Sequence, residues 1–272
     1  MNFGINQQND GLPPAPKICA VLSTGRLGFA DFWTSAWRAF QMFGISFKRC
    51  CGAFWGQVLE RTMQECLDEG YDWIITLDND SWFTPEHVRV LCQLMVHSQE
   101  MFGGRFADAI IPVQTMRDNQ HPMFVVKGQD GEPLSGKHPA SIMHAPLVPV
   151  LSGHFGLTLI RAAALRKMPH PWFWSQPSPD GTWGEKHLDE DMYFWQMFRK
   201  AGNQAYLAPG VCIGHMQQVV TFTGTPETNW EPQHVYLQQA DRGNIPAHCK
   251  PQAIPMPTPE AAKPEPKTES IW

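Results

Sequence analysis

"YDWIITLDNDSWFTPEH", Tyr71 to His87, is the stretch that decides the fold. Its centre, Trp73-Ile74-Ile75-Thr76-Leu77, is a short apolar run rich in β-branched residues and reads as a buried strand. The Thr84-Pro85-Glu86 that follows reads as a helix start, with Thr84 as cap and Pro85 in the first turn, where its missing N–H has no partner to lose. Asp78 and Asp80 therefore fall in the turn where strand gives way to helix. In open α/β sheets such turns lie at the carboxyl edge of the sheet, where ligands bind.

Upstream, Lys17 to Leu22 reads as a first strand ending in Ser23-Thr24-Gly25-Arg26, and Phe29 to Phe43 has helical spacing. Ile45 to Cys50 reads as a second strand, and Gln57 to Glu69 as a helix closed by Gly70. Downstream, Val88 to His97 continues the helix begun at Pro85, and Ala109 to Val113 is the next strand. Strands alternating with helices predict a mostly parallel central sheet flanked by helices. The middle changes character. Phe124 to Leu134 contains the turn signal Gln129-Asp130-Gly131, and Leu147 to Ile160 holds two short apolar runs around Ser152-Gly153-His154-Phe155-Gly156, which predicts a small antiparallel elaboration. Leu188 to Lys200 reads as a helix stopped by Gly202, and Gln204 to Ile213 as one or two short strands.

The 272 residues suit one α/β catalytic domain with elaborations, expected over residues 17–244 after a flexible segment at 1–16. From Ile245 the chain is Pro-rich and polar without apolar periodicity, and is expected to form a disordered tail over 245–272. A formal net charge of -5 and a pI near 6.1 give no overall pull toward nucleic acid or anionic membrane. The N-terminus has no basic stretch followed by an apolar core, and no apolar segment reaches spanning length, so a soluble, cytoplasmic protein is expected. Seven cysteines without a C-x-x-C pair read as reduced, mostly buried thiols.

Three constellations carry chemistry. Two carboxylates at i and i+2 on a turn, Asp78 and Asp80, can face one point and form a hard, oxygen-rich site for Mg²⁺ or Mn²⁺, or they can cap the helix and shape the turn. Asp189, Glu190 and Asp191 crowd the first turn of a helix, where anions are favoured. They can serve as a capping cluster or supply a general base. His215 follows a short apolar strand and can be structural or a ligand. The eleven tryptophans include Trp172, Trp174 and Trp183 just before the acidic helix, where aromatic faces can either pack the core or stack on sugar rings.

The order and spacing of "ICAVLSTGR", "WGQVLERTMQECLDEGYDWIITLDNDSWFTPEHV", "SGHFGLTLIRAAALRKM", "DEDMYFWQMFRKAG" and "IGH" resemble the glycosyltransferases of the nucleotide-diphospho-sugar (GT-A) fold. The closest likeness is to the family 2-like group, some of whose members are encoded by bacteriophages, and it covers roughly Ile18 to Met216. The resemblance implies that Asp78 and Asp80 hold a divalent cation, Mn²⁺ or Mg²⁺, on the donor diphosphate. Asp80 is foremost as direct ligand, and His215 is the late metal-binding His. It implies nucleotide contacts from Ser23, Thr24 and Arg26, with Asp78, Asn79, Gly153 and His154 on the donor side. Glu190-Asp191 matches the Glu-Asp pair whose Asp is the base in inverting members. The family often has an apolar residue or Gly before that pair, whereas this chain has Asp189, which joins the catalytic candidates.

The implied activity is transfer of a sugar, hexosyltransferase-like and inverting, from a nucleotide-diphosphate sugar to an acceptor hydroxyl. A phage-encoded member would work in the host cytoplasm. Saccharides, lipid-linked sugars, proteins and modified DNA bases all present such a hydroxyl. Two alternatives compete. A nucleotidyltransferase on the same fold would carry a Gly-rich basic loop after the first strand, and "STGRLG" has one Arg and two Gly. A non-catalytic sugar-nucleotide or protein-binding module would leave the separate acidic clusters without a shared purpose.

Overall fold

The computed structural model describes residues 15–24, 28–116, 122–127, 133–134, 142, 144–184 and 187–250. Two compact units divide at Gln217/Gln218.

The first unit runs β1 (Ile18–Ser23), α1 (Ala30–Phe43), β2 (Ser46–Cys50), α2 (Trp55–Asp68), β3 (Trp73–Leu77), β4 (Ser81–Trp82), α3 (Pro85–Met101) and β5 (Ala109–Val113). It continues through β6 (Phe124–Lys127), β7 (Pro133–Leu134), β8 (Val148–Gly153), β9 (Leu157–Arg161), α4 (Ala162–Leu165), α5 (Glu190–Lys200), β10 (Ala205–Cys212) and β11 (Gly214–His215). Nine strands form one sheet in the order β2-β1-β3-β9-β5-β10-β8-β6-β7. The fold is mixed α/β: β2, β1 and β3 pair in parallel, as do β5 and β10, and β9 runs antiparallel between the two groups.

The apolar runs at the centre follow from burial on both faces. Along β1, Cys19 and Val21 enter one core while Ala20 and Leu22 enter the other. One core takes α2 and α5 through Leu59, Met63, Phe194 and Phe198. The opposite core takes α1 and α3 through Phe32, Phe40, Val88 and Leu91. Turn chemistry sets the helix ends: Gly44 ends α1 at φ 63° and Gly70 follows α2 at φ 74°, conformations that favour glycine. At the start of α3, Thr84 N–H donates to His87 Nδ1 (3.0 Å), and His87 Nε2 donates to the Cys212 carbonyl (3.0 Å), which fastens the helix to the end of β10.

One expectation is corrected. The second run of Leu147 to Ile160 is not part of a peripheral elaboration: it is β9, inside the main sheet between β3 and β5. Leu157 and Leu159 face one core and Ile160 the other, so β9 meets the burial requirement of a central strand. The antiparallel elaboration is β8, β6 and β7 at one edge. The residues Gln129-Asp130-Gly131 lie outside the described residues, and β6 and β7 on either side of them pair antiparallel. Of the seven cysteines, only Cys19 and Cys66 are fully buried, and Cys51 and Cys212 are exposed.

The second unit, from Gln218, contains the antiparallel pair β12 (Val219–Phe222) and β13 (Gln233–Tyr236), with α6 (Leu237–Asp241) after it. His248 Nε2 donates to the Thr223 carbonyl (2.7 Å) from a 3₁₀ turn at Ala247–Cys249, so the first residues of the Pro-rich stretch are ordered within this unit. Among the described residues, no helix is long and apolar enough to cross a membrane.

Phe155 sits at the centre of an aromatic cluster, with ring centroids 5.5 Å from Trp55, 5.4 Å from Phe173, 5.0 Å from Phe194 and 5.5 Å from Trp195. It is fully buried, and the cluster joins α2 and α5 to the sheet. Phe155→Ala is expected to lower stability by about 3–5 kcal/mol in reversible urea unfolding, as core Phe truncations do.

Candidate functional site

The site forms where β3 ends. The chain leaves Leu77 through Asp78-Asn79-Asp80 into β4, and β4 pairs antiparallel with β11, Ser81 opposite His215 and Trp82 opposite Gly214. This two-residue pairing joins residues far apart in sequence. Asp80 accepts Met216 N–H on its main-chain carbonyl (2.6 Å), and its carboxylate Oδ2 lies 3.2 Å from His215 Nε2. His215 Nδ1 faces the Thr115 carbonyl at 2.8 Å, and a carbonyl only accepts, so Nδ1 carries a proton. In the imidazolium, Nε2–H donates to Asp80. In the neutral ring, Nε2 and Oδ2 are both lone-pair bearers of types that ligate divalent cations.

Behind this pair stands Gln114, fully buried, directly after β5. Its Nε2 donates to Ser81 Oγ (3.2 Å) and to the Gly214 carbonyl (3.1 Å), bracing β4 and β11 from one amide. Its Oε1 is buried with no hydrogen-bond partner among the described residues. Gly156 is required beside it: a Cβ there would lie 2.5 Å from Ser81 Oγ, 2.7 Å from Gln114 Oε1 and 3.0 Å from His154 Nδ1. Gln114 and Gly156 were not among the residues singled out from sequence. A lone amide at the end of the apolar run Ala109 to Val113 was the available signal.

His154 lies behind the site rather than in it. It is 1% exposed, accepts Gly156 N–H at Nδ1 (3.0 Å) and donates from Nε2 to the Pro112 carbonyl (2.9 Å). Burial lowers its pKa to about 4, so it stays neutral. With both nitrogens engaged it positions the end of β5 instead of contacting a ligand. Gly153 also packs away: a Cβ would lie 2.6 Å from the Ile111 side chain, and its carbonyl accepts the Trp195 indole N–H (2.5 Å).

At the end of β1, Ser23 Oγ donates to the Trp55 carbonyl (3.1 Å) and Thr24 N–H donates to the Cys50 carbonyl (3.1 Å). Asn79 Nδ2 donates to Thr24 Oγ1 (2.9 Å), so the loops after β1 and β3 form one rim. Arg26 lies outside the described residues.

The three acids of α5 have separate surroundings. Asp189 is the N-cap, its Oδ1 accepting Met192 N–H (2.7 Å). Glu190 Oε2 accepts Gly56 N–H (2.9 Å) in the first turn of α2, where a Cβ on Gly56 would collide with it at 2.5 Å. Asp191 is partly buried, and its carboxyl is held well above the usual range, first by burial and then by the charges of Asp78, Asp189 and Glu190. The influence of Asp78 on Asp191 brings two acidic clusters distant in sequence to one place.

Asp80 and His215 are thus in contact, whereas Asp78 does not complete a three-ligand group with them: among the described residues, no three His, Cys, Asp or Glu side chains are arranged to hold a metal ion. Two protein donors still fit a Mg²⁺- or Mn²⁺-type ion, which keeps several waters and takes substrate phosphate oxygens. Of the tryptophans, Trp172 is core, its backbone N–H held by Glu60 Oε2 (2.9 Å), while Trp174 and Trp183 are exposed.

No family model matches the chain, and no curated protein matches it. Among solved structures, the A197 protein from STIV is 14% identical with a TM-score of 0.45, covering 77% of this chain and 98% of its own. GalNAc-T7, solved with UDP, GalNAc and Mn²⁺, is 9% identical with a TM-score of 0.48, covering 77% of this chain and 45% of its own. A protein from Desulfovibrio desulfuricans provisionally assigned as a nucleotide-diphospho-sugar transferase is 12% identical with a TM-score of 0.38, covering 71% and 80%. Similarities at this level assign neither activity nor ligand to this chain.

Because the Asp191 carboxyl is raised, the native state holds its proton to a higher pH than the unfolded chain does. Stability should therefore fall as pH rises from the ordinary aspartate range through the raised value. Asp191→Asn is expected to flatten that fall and to raise the melting temperature at neutral pH, as measured by thermal unfolding across pH 4–8.

Proposed function

We propose that the chain is a metal-dependent glycosyltransferase of the GT-A type that moves a sugar from a nucleotide-diphosphate sugar to an acceptor hydroxyl with inversion, its catalytic domain lying within residues 17–244. The observation that carries this reading is the 3.2 Å contact of Asp80 with His215 at the carboxyl edge of the sheet, with Asp191 of α5 close enough to Asp78 for their charges to interact. The mostly parallel core of the sheet agrees with what the sequence resemblance implies.

In this reading Asp80 and His215 bind the cation, and Asp78 adds negative charge beside them. A divalent cation, Mn²⁺ or Mg²⁺, supplies Lewis-acid stabilisation of the charge that develops on the leaving diphosphate. Thr24 and Asn79, tied to each other, form the rim against which the nucleotide lies, and the sequence resemblance adds Ser23 and Arg26 to the nucleotide contacts. Asp191 takes the proton from the acceptor hydroxyl as it attacks the anomeric carbon opposite the leaving group. Its raised pKa makes the ionised carboxylate a stronger base than an ordinary one. Asp189 and Glu190 position it, since each already accepts a backbone N–H. The exposed Trp174 and Trp183 are available to stack on the acceptor.

Asp80→Ala is expected to abolish Mn²⁺-dependent binding of UDP-, GDP- and dTDP-sugars in a calorimetric panel while circular dichroism stays native. Undiminished metal-dependent binding by that folded variant overturns the metal assignment.

Asp191→Asn keeps shape and removes the basic oxygen. Donor hydrolysis, with water as acceptor, should fall on the order of 10²-fold while donor affinity holds within about twofold. Hydrolysis at the wild-type rate removes Asp191 as base.

A further inference from the structure

A recess of about 350 Å³ opens between the segment after α3, the end of β9 and the start of β10, lined by Arg105, Phe106, Asp108, Arg161, Lys167 and Tyr206 among others. Asp108 directly precedes β5, Gln204 directly precedes β10, and Arg161 ends β9, which runs the other way. All three therefore lie at the amino edge of the parallel strands, the edge opposite Asp78 and Asp80. The recess belongs to a different part of the first unit from the candidate active site.

Its charge is the reverse of the chain's. The protein carries a formal -5, yet here Arg105, Arg161 and Lys167 face the single carboxylate of Asp108. That carboxylate is engaged: Oδ2 accepts Gln204 N–H (3.1 Å), and Oδ1 lies 3.6 Å from Arg161 Nη1. Arg161 is held further by its guanidinium lying 5.2 Å over the Phe106 ring. Phe102 and Tyr206 stack at 4.6 Å on the same wall. Arg161 is thus fixed before any ligand arrives, so little side-chain entropy is lost when its planar fork meets an anion. Among the described residues, neither Arg105 nor Lys167 pairs with a carboxylate.

We propose that this recess binds a small phosphate-bearing molecule, with the phosphate between Arg105, Arg161 and Lys167 and the remainder against Phe106 and Tyr206. Guanidinium forks suit phosphate oxygens in two-point contact, and a lysine beside them adds a mobile point charge. The volume sits at the small end of ligand sites, which run roughly 300–1,000 Å³. A sugar phosphate or similar monoester fits that size better than a polymer does. A ligand here would sit across the sheet from Asp80, at a regulatory rather than a reacting position.

The test uses the full chain with EDTA, which removes metal-dependent binding at Asp80. Inorganic phosphate and glycerol 3-phosphate are titrated calorimetrically at constant ionic strength, with chloride as the balancing anion because exposed charges are screened by salt. Saturable binding by the wild type is expected, at least tenfold weaker in the folded Arg105→Ala/Lys167→Ala variant and unchanged in Asp80→Ala. Absence of saturable binding, equal binding by the double variant, or loss of binding in Asp80→Ala each overturns the proposal. Sedimentation with phosphatidic-acid vesicles distinguishes the source of the phosphate. Binding to vesicles through Arg105 and Lys167, with neither soluble phosphate bound, would make the recess a membrane contact and overturn the small-molecule assignment.

Discussion

The candidate site depends on a two-residue strand pairing. β4 and β11 contribute only Ser81, Trp82, Gly214 and His215, too little to be stable alone, yet that pairing sets Asp80 beside His215. Its support comes from the end of β5. Gln114 donates to both strands, the Thr115 carbonyl fixes the His215 ring, and the Pro112 carbonyl anchors His154, which in turn holds Gly156 N–H. Three residues at or just past the end of one buried strand, Pro112, Gln114 and Thr115, thus fix the geometry of groups that come from elsewhere in the chain. A buried amide oxygen without a partner among the described residues is costly, and the same side chain offsets that by donating to two separate acceptors.

The constraint extends to glycine. Positions 56 and 156 both have φ values open to any residue, so neither is a glycine for conformational reasons; each is small because a polar side chain occupies the space a Cβ would need. At 156 that neighbour is the Ser81–Gln114–His154 group, and at 56 it is the Glu190 carboxylate together with the Phe173 Cβ. Close approach of neighbouring side chains to the backbone replaces the usual turn argument for glycine.

Much of the sheet is legible in the sequence because its central strands are buried on both faces. β1, β3 and β5 appear as unbroken apolar runs, and the turn after β3 displays its acids openly. β9 is equally apolar, but periodicity carries no information about neighbours or direction, so its insertion between β3 and β5 follows only from three-dimensional packing. The same limit applies within the site. Asp189 as helix cap can be read locally, since its partner is three residues away. The bond from Glu190 to Gly56 spans 134 residues, and that from Gln114 to Gly214 spans 100, so nothing local announces either. His154, exposed in no direction, looks in sequence like any histidine in a polar turn.

The acids at the start of α5 show how structure and chemistry are coupled in one short stretch. Three adjacent carboxylates repel one another, and a helix needs at most one of them as cap. Two have their charge met by backbone N–H groups, Asp189 within its own helix and Glu190 across to α2, and those bonds fix where α5 begins and how it faces the sheet. The third, Asp191, lies where burial and the charges of Asp78, Asp189 and Glu190 all favour its protonated form. The two acids that anchor the helix are therefore also a source of the basicity of the third. Removing either would loosen α5 and lower the proton affinity of Asp191 together, so the position of the helix and the proton affinity of Asp191 are set by the same charges.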